Sequence, residues 1–365
     1  MTKKSLIIAI AALCSLALCS QAASPRKQLL QRLEQLLQQG IMLGHQDDPL
    51  YGRSWCWQQG RSDVLETIGD YPAVMGFELG QLELDSARNL DGVPFSLMRQ
   101  EILAQHCRGG IISICWHPSN PATGQNAWSV TPGIMKELLP GGKYNDKFNG
   151  WLTRVGNFLG SLKDEQGRSI PMIFRPWHEM NGTWFWWGVK GGTEADYQAL
   201  YRYTHQFLTK KCKLNNLAWA YSPNLADAEA QEHYLSFYPG DKYVDLLGID
   251  VYDFNDDAAY AANLVRELDV LQAVGKQHGK LVALTETGAQ QVPTPNWFTQ
   301  VLGPIIKGRP LVYVLLWRNA WDQPKEYYVP TMGHPAGADF IKWAAQPSIL
   351  TLKNLQQRKT CCGIK

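Results

Sequence analysis

The chain carries almost no net charge, with 35 Lys and Arg against 33 Asp and Glu. Lys3 and Lys4 supply the whole excess, and no basic run occurs elsewhere. A surface so balanced excludes nucleic acid as the main ligand. No two of the 8 Cys form a CxxC pair, which argues against a Cys-based zinc site. No His-x-His pair occurs among the 8 His. His178-Glu179 begins like the zinc-protease motif HExxH, but Gly182 stands where the second His belongs. Past the first 22 residues no apolar stretch reaches the roughly 18 residues that a membrane span needs. Pro/Gly/Ser-rich linkers and low-complexity tracts are also missing, so nothing marks a second domain. What is present is a globular composition, 45% hydrophobic and 19% charged.

The first 22 residues read as an export signal, residues 1–22, ahead of a mature domain, 23–365. Lys3 and Lys4 precede an apolar run from Leu6 to Leu18, and Ser20-Gln21-Ala22 fits a signal-peptidase site. The expectation is a periplasmic or secreted protein. Leu16-Ala17-Leu18-Cys19 also resembles a lipoprotein box, although Leu18 suits it poorly, so a lipid anchor at Cys19 is the second reading. Disulfides are permitted outside the cytoplasm.

Beyond the signal, Leu29, Leu30, Leu33, Leu36 and Leu37 recur at helical spacing and stop before Gly40. Eight near-continuous apolar runs of strand length follow. The first ends at Gly44-His45, and the others are Ala73–Leu79, Gly110–His117, Pro171–Glu179, Leu217–Pro223, Val244–Tyr252, Leu281–Gly288 and Leu311–Trp317. Such runs mark parallel strands buried on both faces. Helical patterns lie between them, at Phe95–Cys107, Tyr144–Leu162, Glu194–Lys211, Tyr260–Val274 and Asn296–Ile306. Strand and helix alternating eight times predict a single α/β domain, a (β/α)8 TIM barrel. The longest irregular stretch, Asn120–Gly142, is a candidate wall of the site.

In such a barrel the chemistry sits where the strands end. The ends read His45, Glu78, His117, His178-Glu179, Ser222 to Asn224, Tyr252, Glu286 and Trp317-Arg318. Two carboxylates stand out. Glu179 follows strand four and Glu286 strand seven, which are expected on opposite sides of the ring. Hydrolysis of a glycosidic bond needs such a pair, one to protonate the leaving oxygen and one to stabilise or attack the anomeric carbon. The chain holds 14 Trp, and Trp184, Phe185, Trp186 and Trp187 follow Glu179 directly. Four rings in a short loop cannot all face a core, so Trp184 and Trp187 are candidate platforms for a sugar. Trp317 is expected near the cleft floor. Trp128 and Trp321 are expected to be packing.

His178-Glu-Met-Asn-Gly182, preceded by Phe174-Arg-Pro and followed by Trp184-Phe-Trp-Trp-Gly188, closely resembles the acid/base motif of glycoside hydrolase family 26. Glu286 in Leu284-Thr-Glu-Thr-Gly288 is similar to the family's nucleophile strand. Gly44-His45-Gln46, Trp116-His-Pro, Gly248-Ile-Asp-Val-Tyr-Asp253 and Leu316-Trp-Arg-Asn319 resemble further family positions, in order, over roughly Ile41 to Ala345. The resemblance implies a retaining β-1,4-mannanase acting on β-mannan or manno-oligosaccharides, without metal or other cofactor. Glu286 would attack, and Glu179 would serve as acid and then base, which requires a raised pKa at Glu179. His178 would orient Glu286 or the sugar, and Tyr252 would steady the nucleophile. Trp184 and Trp317 would flank the bound sugar. Glu78 and His117 would bond hydroxyls, and Arg175 and Arg318 would bond hydroxyls or balance charge. A xylanase or mixed-linkage glucanase on the same barrel is the alternative, as is a sugar-binding protein without catalysis. Internal cutting and release of mannobiose from chain ends both stay open, to be decided by loops such as Leu82–Pro94.

Overall fold

The structure is a computed structural model that describes residues 23–224 and 231–355. The export signal and Cys19 lie outside the described residues.

Eight parallel strands form a closed ring: β1 (Ile41–Gln46), β2 (Val74–Glu78), β3 (Ile111–Trp116), β4 (Met172–Pro176), β5 (Leu217–Tyr221), β6 (Leu246–Asp253), β7 (Leu281–Ala289) and β8 (Leu311–Leu316). Each pairs with the next, and β8 returns to β1, with Met42 beside Tyr313 and His45 beside Leu316. This is the (β/α)8 barrel that the alternation predicts. Helices Phe95–Arg108, Asn145–Ser161, Glu194–Gln206 and Asp257–His278 lie where their spacing places them. Two helical expectations are corrected at their ends. The helix from Glu194 widens into a π-turn over Phe207–Lys211. The segment Asn296–Ile306 is mostly a π-turn, Phe298–Leu302, before a four-residue α-turn, Gly303–Ile306. Pro304 has no N–H to donate there, so a regular α-helical ladder cannot continue.

Alternation along the strands builds the barrel interior. Val74, Ile111, Ile173, Ala218, Leu246 and Ala283 form one cluster with Leu29, Leu33 and Leu36 of the helix Pro25–Leu37. That helix plugs the floor of the barrel. Ser24 caps it, Pro25 starts it, and Arg26 Nε anchors it on Asp245 Oδ2 at 2.8 Å. Each buried Leu contributes roughly 2 kcal/mol. The other face of each strand packs outward, as Met75, Phe77, Ile112, Ile114 and Phe174 do in the larger core. Residues two apart share a face. The inward series therefore runs Val74–Gly76–Glu78, Ile111–Ser113–Cys115–His117, Ile173–Arg175 and Leu246–Gly248–Asp250–Tyr252. Each series begins apolar at the floor and ends polar at the mouth.

Candidate active site

β4 ends at Pro176, not at Glu179. The chain then turns through Trp177 and Glu179, both at positive φ, 59° and 55°. The turn is held by Glu179 N donating to Ser222 O at 2.8 Å and Gly182 N donating to Glu179 O at 2.9 Å. Glu286 reaches the mouth by a different device. On β6 and β7, Ile249 pairs with Leu284 but Asp250 pairs with Glu286, so β7 carries one extra residue, Thr285. Strict alternation from Ala283 would have turned Thr285 inward. The bulge re-aims the next position.

The two glutamates rise from strands three places apart in the eight-strand ring, one short of diametrically opposite. β5 and β6 alone separate β4 from β7, and one carboxylate oxygen each of Glu179, Asp250 and Glu286 lie within 4.8 Å of one another. Their surroundings differ. Glu286 Oε1 accepts from Arg175 Nη2, and its Oε2 accepts from Tyr252 OH at 2.6 Å. Arg175 Nη1 donates to Asp250 Oδ2 and Ser222 Oγ, both at 2.9 Å. Burial alone would lower the Arg175 pKa, but Asp250 and Glu286 hold it well above its ordinary value. The guanidinium thus bridges the Asp250 and Glu286 carboxylates. Arg175 therefore balances charge and is spent on protein partners.

Among the described residues Glu179 has no cationic partner in hydrogen-bond contact. Asn224 Nδ2 donates to its Oε1 at 2.6 Å and Trp184 Nε1 to its Oε2 at 2.8 Å. Burial and the nearby Glu286 charge push its pKa up to about 7, against the lowering pull of Asn224, Trp184 and Arg175. One carboxylate thus sits beside a guanidinium and a phenol, while its neighbour is built to hold a proton near neutral pH.

Several expected contacts are corrected. Glu78 is 3% exposed. Its oxygens accept from His117 N at 2.8 Å, His117 Nδ1 at 2.6 Å, Cys115 Sγ at 3.0 Å and Gly80 N. It therefore holds His117 and leaves no oxygen for a hydroxyl. The same bonds account for the close approach of Glu78, Cys115 and His117. His178 bonds through Nε2 to His117 Nε2 at 3.0 Å, whereas Glu286 Oε1 is 3.9 Å away. Burial, Arg175 and His117 drive the His178 pKa well down, whereas Glu78 outweighs burial to raise that of His117. The two rings thus share one Nε2–Nε2 contact, with Glu78 holding the far side of His117. Of the four consecutive rings, Trp184 alone is exposed, at 36%. Trp187 is fully buried, stacks on Phe185 at 4.4 Å and donates to His178 O at 2.8 Å. It braces the turn that carries Glu179 and, being fully buried, offers no ring face to a ligand. Arg318 turns to Asp91 and, through Nε, to Glu326 Oε1 at 2.8 Å, so it balances charge at the rim. Trp317 is half-buried at the end of β8.

Trp128, expected to be packing, is half exposed and lies parallel to His117 with centroids 5.7 Å apart. Three side chains that bond Glu179 or Arg175 received no role from the sequence: Asn224, Ser222 and Asp250. The inward alternation Leu246–Gly248–Asp250–Tyr252 could have found Asp250. Asn224 and Ser222 had only their place at a strand end to mark them.

The model of glycosyl hydrolase family 26 matches residues 18–305. The chain belongs to this family. A family 26 β-mannanase from Bacteroides ovatus has the same fold, with a TM-score of 0.88 and 43% identity over 90% of this chain and 95% of that one. A mannan endo-1,4-beta-mannosidase of Bacillus subtilis is 31% identical over 269 residues, 71% of this chain and 69% of the relative. Another, from Bifidobacterium adolescentis, is 38% identical over 237 residues. That match takes in 62% of this chain and 24% of the longer relative. Family 26 membership accords with the carboxylate pair that the barrel mouth assembles.

Proposed function

We propose that the chain is a retaining β-1,4-mannanase that hydrolyses β-mannan by double displacement. The observation that carries this reading is the spacing of Glu179 and Glu286, a carboxylate oxygen of one lying within 4.8 Å of a carboxylate oxygen of the other. A retaining pair stands about 5–5.5 Å apart, while an inverting pair needs about 6.5–9.5 Å to admit a water. The names of the relatives support mannan as the substrate class.

In the first step Glu286 attacks the anomeric carbon while Glu179 protonates the departing glycosidic oxygen. Arg175 and Tyr252 hold Glu286 as the attacking carboxylate. The covalent intermediate removes one negative charge beside Glu179 and so favours its ionised form. Glu179 then takes the proton of the incoming water as the water oxygen bonds the anomeric carbon and the bond to Glu286 breaks, freeing the Glu286 carboxylate. Trp184 supplies a ring face beside the bond being broken, and Trp317 bounds the cleft floor. The leader Leu6–Leu18 behind Lys3 and Lys4 supports export to the periplasm or medium.

Proton NMR of the first products from manno-oligosaccharides tests the mechanism. The β-anomer should appear first and mutarotate later, and initial α-anomer would overturn the assignment of Glu286 as nucleophile. A time course on unsubstituted β-1,4-mannan tests the substrate and the mode. A ladder of oligosaccharides means internal cutting, mannobiose alone means attack from chain ends, and no release overturns mannan as the substrate.

A further inference from the structure

The turn that carries Glu179 contains a glycine whose need is steric. Gly182 does not adopt positive φ, so its backbone would accept any residue. Yet a Cβ there would lie within 3.0 Å of three atoms of the Trp184 six-membered ring, Cη2, Cζ2 and Cε2. The indole rests on the bare Cα of Gly182, and from that seat Nε1 reaches Glu179 Oε2 at 2.8 Å. The backbone cannot give way. Gly182 N is bound to Glu179 O at 2.9 Å, and Gly182 O accepts from Val189 N at 3.1 Å. Trp184 is 36% exposed and has solvent to move into. Added bulk at Gly182 would therefore displace the ring and leave the carboxyl where it is.

We propose that Gly182 is a positioning residue for proton transfer, because its missing side chain seats the Trp184 indole that donates to Glu179. The inference rests on Glu179 being the acid of the proposed reaction. The consequence is specific. A donor on the carboxyl favours its ionised form, so unseating Trp184 leaves Asn224 as the sole side-chain donor among the described residues and makes Glu179 a weaker acid. A ring that merely packed would affect rate at every pH alike.

The test is the pH profile of kcat/KM for wild type, Gly182→Ala, Trp184→Phe and the double variant. Mannohexaose serves as the substrate whose leaving group needs a proton, and 2,4-dinitrophenyl β-mannobioside as one whose leaving group does not. On mannohexaose, each single variant should move the alkaline limb up by about 0.5–1 pH unit, and the double variant should move it no further. A limb that stays in place in Gly182→Ala overturns the proposal, whatever happens to kcat. Should Gly182→Ala fail to fold, Trp184→Phe decides, since it keeps a ring and removes the N–H. A wild-type limb equally steep on the dinitrophenyl substrate would instead remove Glu179 as the acid, and the proposal with it.

Discussion

The two ends of the barrel are made by the same strands and do opposite work. At the floor, the inward positions Val74, Ile111, Ile173, Leu246 and Ala283 close on Leu29, Leu33 and Leu36. At the mouth, two to six residues farther along the same strands, the inward positions are Glu78, His117, Arg175, Asp250, Tyr252 and, through a bulge, Glu286. The floor gains free energy from apolar burial and tolerates approximate chemistry. The mouth buries charge, which destabilises unless each group is paired. Glu286, Asp250 and Arg175 are paired, whereas Glu179 bonds no cation among the described residues, and burial and Glu286 push its pKa up to about 7. The fold thus places its stabilising contacts at one end of each strand and its costly, reactive groups at the other.

That division is open to experiment. The largest effect belongs to the mouth. Glu286→Ala and Glu179→Ala should each lower turnover of mannan by about 10²–10⁴-fold while shifting the melting temperature little. A variant retaining more than about a tenth of wild-type turnover would remove that residue from its role. Leu33→Ala at the floor should show the reverse, a loss of about 2–5 kcal/mol in chemical denaturation with the folded fraction fully active. Activity lost in proportion to nothing but floor packing would mean that the two ends are mechanically coupled. Arg175→Met should join the two behaviours. It leaves Asp250 and Glu286 buried without their cation, so about 3–5 kcal/mol of stability and most of the activity should go together. The smallest effect is on pH. Glu179 must enter the first step protonated, so kcat/KM should fall as pH rises through about 7, the value to which burial and Glu286 push it. A rate that holds flat to pH 9 would show that its proton is not used.

Much of this arrangement is legible without coordinates. The eight apolar runs are strands, the residues at their ends gather at one face, and Glu179 and Glu286 are recognisable from the motifs around them. The errors share a cause. Trp184 and Trp187 are the same residue type three positions apart, and only the path of the loop decides that one is exposed while the other lies beneath His178. Arg318 and Arg175 both follow the strand pattern, but their partners Asp91, Glu326 and Asp250 come from other parts of the chain. The expected service of Glu78 to a sugar failed because two backbone N–H groups, a thiol and a ring nitrogen already fill its oxygens.

By itself, then, the sequence determined what depends on local period and residue type. Near-continuous apolar runs of strand length dictate parallel strands buried on both faces, and the 3.6-residue period dictates the helices between them. The tertiary structure alone decided the distance between the glutamates, the bulge at Thr285 that turns Glu286 inward, and the contrast between a carboxylate beside Arg175 and one beside Trp184 and Asn224. Those are relations among side chains far apart in sequence. Hydrogen bonding and Coulomb interaction depend on separation and solvent access, and neither is defined until the ring closes.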